Sequence, residues 1–145
     1  MREKLNKQMK RFNFLVNEIN SAYHEAALRL RLSDSAFQVL YTVCSSEGDC
    51  TISDICSWGI SKQTVNSALR KLESEDIVYL ENAGGKRKRV CLTRKGQALS
   101  ETTVLKIIEI ENQIFSSWEK DEVTAYVGLT ERYLRMFRES AEREL

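Results

Sequence analysis

SKQTVNSALRKLESED, residues 61–76, has two faces. Val65, Ala68, Leu69 and Leu72 recur at steps of three, one and three, a single apolar stripe at helical period. Gln63, Asn66, Ser67 and Arg70 fall at i, i+3, i+4 and i+7 on the opposite side. These are side chains that reach base edges: Gln and Asn can bind adenine through two hydrogen bonds, and Arg can bind guanine. A surface helix of no special purpose would carry Glu and Lys on such a face. Ser61 is placed to cap the helix, its hydroxyl taking a free backbone N–H.

The sequence on either side fits a carrier for this helix. Upstream, residues 51–57 form a short helix with Ile52, Ile55 and Cys56 as inward candidates, and Trp58-Gly59-Ile60 makes a tight connection. Two short helices joined by a few residues that include Gly, the second with a polar outer face, are the signature of a helix-turn-helix. Before them, Ser33 caps a helix with a broad apolar face (Ala36, Phe37, Val39, Leu40, Val43) that ends at the turn cluster SSEGD. Residues 2–31 read as one long helix. Its apolar positions Leu5, Met9, Phe12, Val16, Ile19, Tyr23, Ala26 and Leu30 alternate steps of four and three, close to the seam of packed helices. So small a chain cannot cover a helix of that length alone, so part of it is expected to serve a second subunit.

Downstream the period changes. Ile77-Val78-Tyr79-Leu80 is β-rich, ENAGG is a turn, and Lys86-Arg87-Lys88-Arg89 leads into Val90-Cys91-Leu92, which predicts a β-hairpin with a basic tip. Thr93 caps a helix of about 25 residues that includes Leu99, Leu105, Ile108, Phe115 and Trp118. A last helix from about Asp121 carries Val123, Val127, Leu134, Phe137, Ala141 and Leu145.

Composition agrees with a mainly helical protein. The 145 residues suit a single domain over 1–145, and 42% hydrophobic content is enough for a core. The absence of proline and the six glycines favour long helices over an all-β fold. No apolar run approaches the ~20 residues of a membrane span. The opening MREKLNKQMKRF has no apolar signal core, so a cytoplasmic protein is expected. Net charge is only +1, but residues 51–100 carry an excess of four positive charges and residues 101–145 an excess of four negative ones. A basic centre and an acidic end suit a chain that meets phosphates at one place.

The stretches LSDSAFQVLYTV (32–43), TISDICSWGISKQTVNSALRKLESEDIVYLE (51–81) and RVCLTRKGQAL (89–99) together resemble the MarR-type winged-helix transcriptional regulators. The most specific pieces are Ser61-Lys62-Gln63-Thr64-Val65, Leu72-Glu73, and Leu92-Thr93 with Gly96 three residues on. The resemblance implies a winged helix-turn-helix lobe over 33–95. It also implies dimerisation helices over 1–31 and 97–145, interlocked in a homodimer that sets two recognition helices into successive major grooves. Three features depart from the family. Asp76 stands where Gly is usual, Leu80 where Arg is frequent, and Gly84 and Lys86 where an Asp and an Arg brace the wing. A more mobile wing is therefore expected, gripping through charge.

The expected partner is double-stranded DNA. Gln63, Asn66, Ser67 and Arg70 would face bases; Ser61, Lys62, Thr64 and the wing residues Lys86, Arg87 and Lys88 would serve the backbone. An effector pocket for a small aromatic or amphipathic molecule, a feature the resemblance implies, has Phe12, Tyr23, His24, Phe37 and Tyr41 as candidates, though plain core packing accounts for them as well. Of Cys44, Cys50, Cys56 and Cys91, no two have the C-x-x-C spacing of a zinc ribbon, and all four read as small apolar filler. Cys50 and Cys91 form a candidate redox pair if the segment before the third helix lies beside the returning wing strand. His24, the single histidine, reads as a partly buried structural residue; one His with scattered Cys makes no metal site and no catalytic set. No cofactor is called for, and an enzyme has no support. The main expectation is a ligand-responsive repressor on a pseudo-palindromic operator. The alternatives are a winged-helix protein–protein module and a thiol-responsive regulator.

Overall fold

The computed structural model describes residues 3–145. Those residues form α1 (Lys7–Arg29), α2 (Asp34–Ser45), α3 (Ile52–Cys56), α4 (Lys62–Ser74), β1 (Val78–Asn82), β2 (Lys88–Leu92), α5 (Arg94–Glu101), α6 (Val104–Ser117) and α7 (Lys120–Glu144). The fold is mainly helical with one antiparallel hairpin, as the periodicities predict. The chain divides into two compact units, parting between Lys106 and Ile107.

Side-chain caps set most helix starts. Asn6, Ser33, Thr51, Ser61 and Thr93 each accept a backbone N–H of the first turn with a side-chain oxygen. At α3 the cap is reciprocal, since Asp54 also accepts the backbone N–H of Thr51. Helix α1 therefore begins at Lys7, later than the apolar rhythm suggests. The Asn6 carboxamide takes Gln8 N and Met9 N, which leaves Leu5 ahead of the helix; residue 2 itself lies outside the described residues.

Helix ends in this proline-free chain rest on left-handed residues that are not glycine. Arg31 (φ 58°), Glu47 (φ 49°) and Asp76 (φ 60°) follow α1, α2 and α4. Behind α4, Asp76 N donates to Glu73 O and Ile77 N to Leu72 O, which satisfies two carbonyls of the last turn. Leu72 and Ile77 are both buried, so the turn is closed by an apolar contact as well as by hydrogen bonds.

The core of the first unit gathers around α2. Leu40 and Ile55 are fully buried, joined by Val39, Val65, Leu69 and Val90. The hairpin pairs Val78 with Leu92 and Asn82 with Lys88, and a bridge between Thr51 and Arg89 adds the segment before α3 as a short third strand. Thr93 locks the hairpin to α5. Its hydroxyl donates to Asp76 O (2.6 Å) and accepts Gly96 N (3.0 Å), while its backbone N–H reaches Ile77 O (3.0 Å). Gly96 is buried against that same Ile77 carbonyl, with no room for a Cβ.

The single helix of about 25 residues expected after Thr93 is two helices. Thr102 and Thr103 both turn their hydroxyls back onto Leu99 O, and α5 stops there before α6 begins at Val104. Such back-bonding by a β-branched pair competes with the helical ladder. In the second unit, Phe115, Trp118 and Tyr126 pack on one another at the α6–α7 corner with ring centroids 5.3–6.1 Å apart.

Gly96→Ala should lower stability by about 1–3 kcal/mol, because the added methyl must displace backbone. Asp76→Gly should raise it by about 1 kcal/mol by relieving a left-handed L-residue. Chemical denaturation midpoints at one fixed protein concentration test both, and an unchanged midpoint for Gly96→Ala would refute the close approach.

Candidate nucleic-acid interface

Helix α4 is held by its apolar stripe and turns its polar side outward. Val65, Leu69 and Leu72 are at most 4% exposed, whereas Gln63, Ser67 and Arg70 are exposed. Asn66 is half-buried. At ~100° per residue it follows Val65 too closely to reach the middle of the outer face. The outer face thus centres on Gln63, Ser67 and Arg70, with Asn66 on one flank. Arg70 Nη2 donates to Ser67 Oγ at 3.3 Å, which lays the guanidinium along the helix. Ser61 Oγ donates to Thr64 Oγ1 at 2.9 Å, so these two hydroxyls share the first turn.

The two flanks of α4 border different clefts. On the side of Lys62, a cleft of about 540 Å³ is lined by Lys62, Lys86, Arg87 and Lys88 together with Thr51, Ser53, Ile52 and Cys56. Four cations on one concave surface favour an anion. On the side of Thr64, a second cleft of about 540 Å³ runs between the end of α1, the start of α2 and α4, with Arg31, Lys71 and Glu75 among its walls. Thr64 is therefore on the flank away from the wing, not beside the wing cations.

The basic run 86–89 divides by register. Lys86 and Arg87 are exposed at the tip and form no ion pair among the described residues. Lys88 Nζ donates to Asn82 Oδ1 at 2.8 Å across the hairpin. Arg89 is held between two exposed carboxylates: its Nη1 lies 2.9 Å from Glu81 Oε1 and its Nε 3.3 Å from Asp49 Oδ1. The Arg89 guanidinium holds the Glu81 carboxyl below the usual carboxylate range. Gly84, at φ 107° in the wing turn, supplies no brace, as its lack of a side chain requires. The base of the wing is tied through Arg89 instead.

The candidate effector residues are divided between α1 and α2. Phe12, Tyr23 and His24 are exposed along α1, and Phe12 lies about 16 Å along the helix from Tyr23. Phe37 is buried and stacks on Tyr41 at 5.8 Å, and Tyr41 meets Trp58 edge-on at 6.2 Å. His24 lies at the surface. Its side chain is 54% exposed, and Nδ1 sits 2.8 Å from Asp34 Oδ2 at the first turn of α2.

Cys50 and Cys91 are near each other but out of register. Val90 N donates to Cys50 O, so Cys50 lies opposite Val90, both fully buried, while Cys91 alternates to the other face. All four cysteines are free thiols. Burial, then the nearby Asp54 carboxylate, pushes the Cys50 thiol up to about 11. No cluster of His, Cys, Asp and Glu among the described residues could hold a metal ion. No helix among the described residues is long and apolar enough to cross a membrane.

The fold and the site define a winged helix-turn-helix protein. Residues 32–89 match the MarR family, and the chain has the MarR-type fold along its length. A MarR family regulator from Neisseria meningitidis superposes over 97% of this chain and 100% of its own, with a TM-score of 0.82 at 19% identity. The S. aureus MepR–DNA complex matches over 92% and 99% (TM-score 0.65, 18% identity). A MarR/EmrR family regulator from Acinetobacter sp. matches over 91% and 95% (TM-score 0.66, 22% identity). No curated protein sequence matches the chain.

Sequence reasoning placed Arg89 in the basic run but passed over its partners Asp49 and Glu81, and the cleft residues Ser53 and Lys71. Hairpin register could have paired Glu81 with Arg89; nothing local points from Arg89 to Asp49, 40 residues away.

Cys50 should be unreactive to a thiol reagent near pH 8 in the folded protein and react once denaturant is added; immediate labelling of all four thiols would contradict its burial. Because its folded value is raised, its contribution to stability is whole below the unfolded thiol range of about 8.5 and is lost as pH rises towards the folded value near 11. The denaturation midpoint should fall across that window, and less so in Cys50→Ala.

Proposed function

We infer that this protein is a sequence-specific regulator of transcription that binds double-stranded DNA as a homodimer. The observation that carries this reading is the pairing of an anchored α4, presenting Gln63, Ser67 and Arg70, with an adjoining cleft that gathers Lys62, Lys86, Arg87 and Lys88. Gln63 and Arg70 can form paired hydrogen bonds with bases, and the cations supply backbone attraction without sequence information. The relative from S. aureus solved in complex with DNA supports the same use of the fold.

The homodimer is proposed from exposed apolar surface. Only Ala27 of α1 is buried, while Phe12, Leu15, Val16 and Ile19 are 40–48% exposed. No residue of α7 is buried, and Tyr126, Val127, Leu134 and Phe137 lie open along it. Apolar faces of that extent mark an interface. A dimer would set two α4 helices on half-sites about one helical turn apart, hence a pseudo-palindrome. Repression, relieved by a small amphipathic effector that favours another spacing of the two helices, completes the reading.

The test is a titration against duplex DNA from upstream of the protein's own coding region at two salt concentrations. Tight, salt-steep binding is expected. Arg70→Ala should lose about 1–3 kcal/mol of discrimination, roughly fivefold to 150-fold in affinity for the preferred site. Lys62→Ala should weaken every sequence alike and reduce the salt slope by about 0.9. A stable dimer with no preference over random DNA would instead favour a protein–protein module. A denaturation midpoint independent of protein concentration would count against an obligate dimer.

A further inference from the structure

Arg89 lies at the centre of the three extended segments that make the wing. It is opposite Glu81 on β1 and is bridged to Thr51 on the other side, with the neighbouring Val90 N–H bonded to Cys50 O. Its side chain is 30% exposed and spends one guanidinium nitrogen on each of two carboxylates, Glu81 and Asp49. A planar fork can serve two acceptors at fixed angles, whereas a lysine ammonium is a single point charge. Arg89, Glu81 and Asp49 together carry a net charge of minus one, so this group adds nothing to an anion site.

We propose that Arg89 is a positioning residue that fixes the wing tip, with Lys86 and Arg87, beside Lys62, and that it makes no phosphate contact of its own. The reading of the cationic cleft as the DNA-backbone site underlies this role. Charge and position then make opposite demands. If only charge mattered, neutralising Asp49 or Glu81 would remove repulsion and tighten binding to any polyanion. If Arg89 positions the wing, the same changes release the guanidinium, loosen the tip and weaken binding.

The experiment compares the full chain with Asp49→Asn/Glu81→Gln, Arg89→Lys and Arg89→Ala. Each is titrated with duplex DNA from upstream of the coding region, and backbone amide hydrogen exchange over residues 83–90 is followed without DNA. The doubly neutralised variant should bind about fivefold more weakly and exchange faster at the wing. Arg89→Ala should do the same, and Arg89→Lys, which keeps the charge but can hold only one carboxylate, should fall between wild type and Arg89→Ala. Equal or tighter binding by the doubly neutralised variant, with unchanged exchange, would overturn the proposal and make Arg89 an ordinary phosphate contact. If the wild type binds no DNA, the DNA-binding reading fails on its own, and exchange alone decides: faster exchange in the doubly neutralised variant and in Arg89→Ala supports the brace, and unchanged exchange rejects it.

Discussion

Burial of Val65, Leu69 and Leu72 beneath α4 is the constraint on which the rest of the interface depends. Each such side chain contributes on the order of 1.5–3 kcal/mol when removed from water, enough to fix the rotation of a thirteen-residue helix. Rotation, in turn, decides which polar side chains face outward. With the stripe held, Gln63, Ser67 and Arg70 lie on the outer line and Asn66 falls to the flank. The end of the helix is fixed as firmly. Asp76 reverses the chain, Thr93 bonds its carbonyl, and Gly96 allows α5 to close on Ile77. Helix α4, the hairpin and α5 are thus joined by a few hydrogen bonds at one corner.

Charge is distributed with comparable economy. The whole chain is nearly neutral, yet four cations meet in one cleft beside α4. The basic run on the wing looks uniform but is not, because a hairpin alternates its side chains and pairs them across the ladder. Two members stay free at the tip, one bonds across the strands, and the last becomes part of the scaffold. Counting cations along the chain overstates what such a run can offer to a polyanion.

How much was legible follows from the range over which each physical rule acts. Period, caps and turn chemistry operate within about four residues. The stripe of α4, the caps at Ser33, Ser61 and Thr93, and the hairpin turn after Asn82 were therefore all readable. A start of α1 at Lys7 was missed because Asn6 sits inside an unbroken apolar rhythm, and the capping bond outranks that rhythm. The break at Thr102 and Thr103 was missed because threonine is tolerated in helices until its hydroxyl finds a carbonyl behind it.

The sequence by itself determined the fold class and the two-faced character of residues 61–76, because both follow from local periodicity and from residue chemistry. Only the tertiary structure decided that Arg89 spans to Asp49, that Cys50 faces Val90 and not Cys91, and that Lys62 and Thr64 border different clefts. Each of these is a relation between segments far apart in the chain. Strand register and helix rotation are set by the whole core at once, and no local rule carries that information.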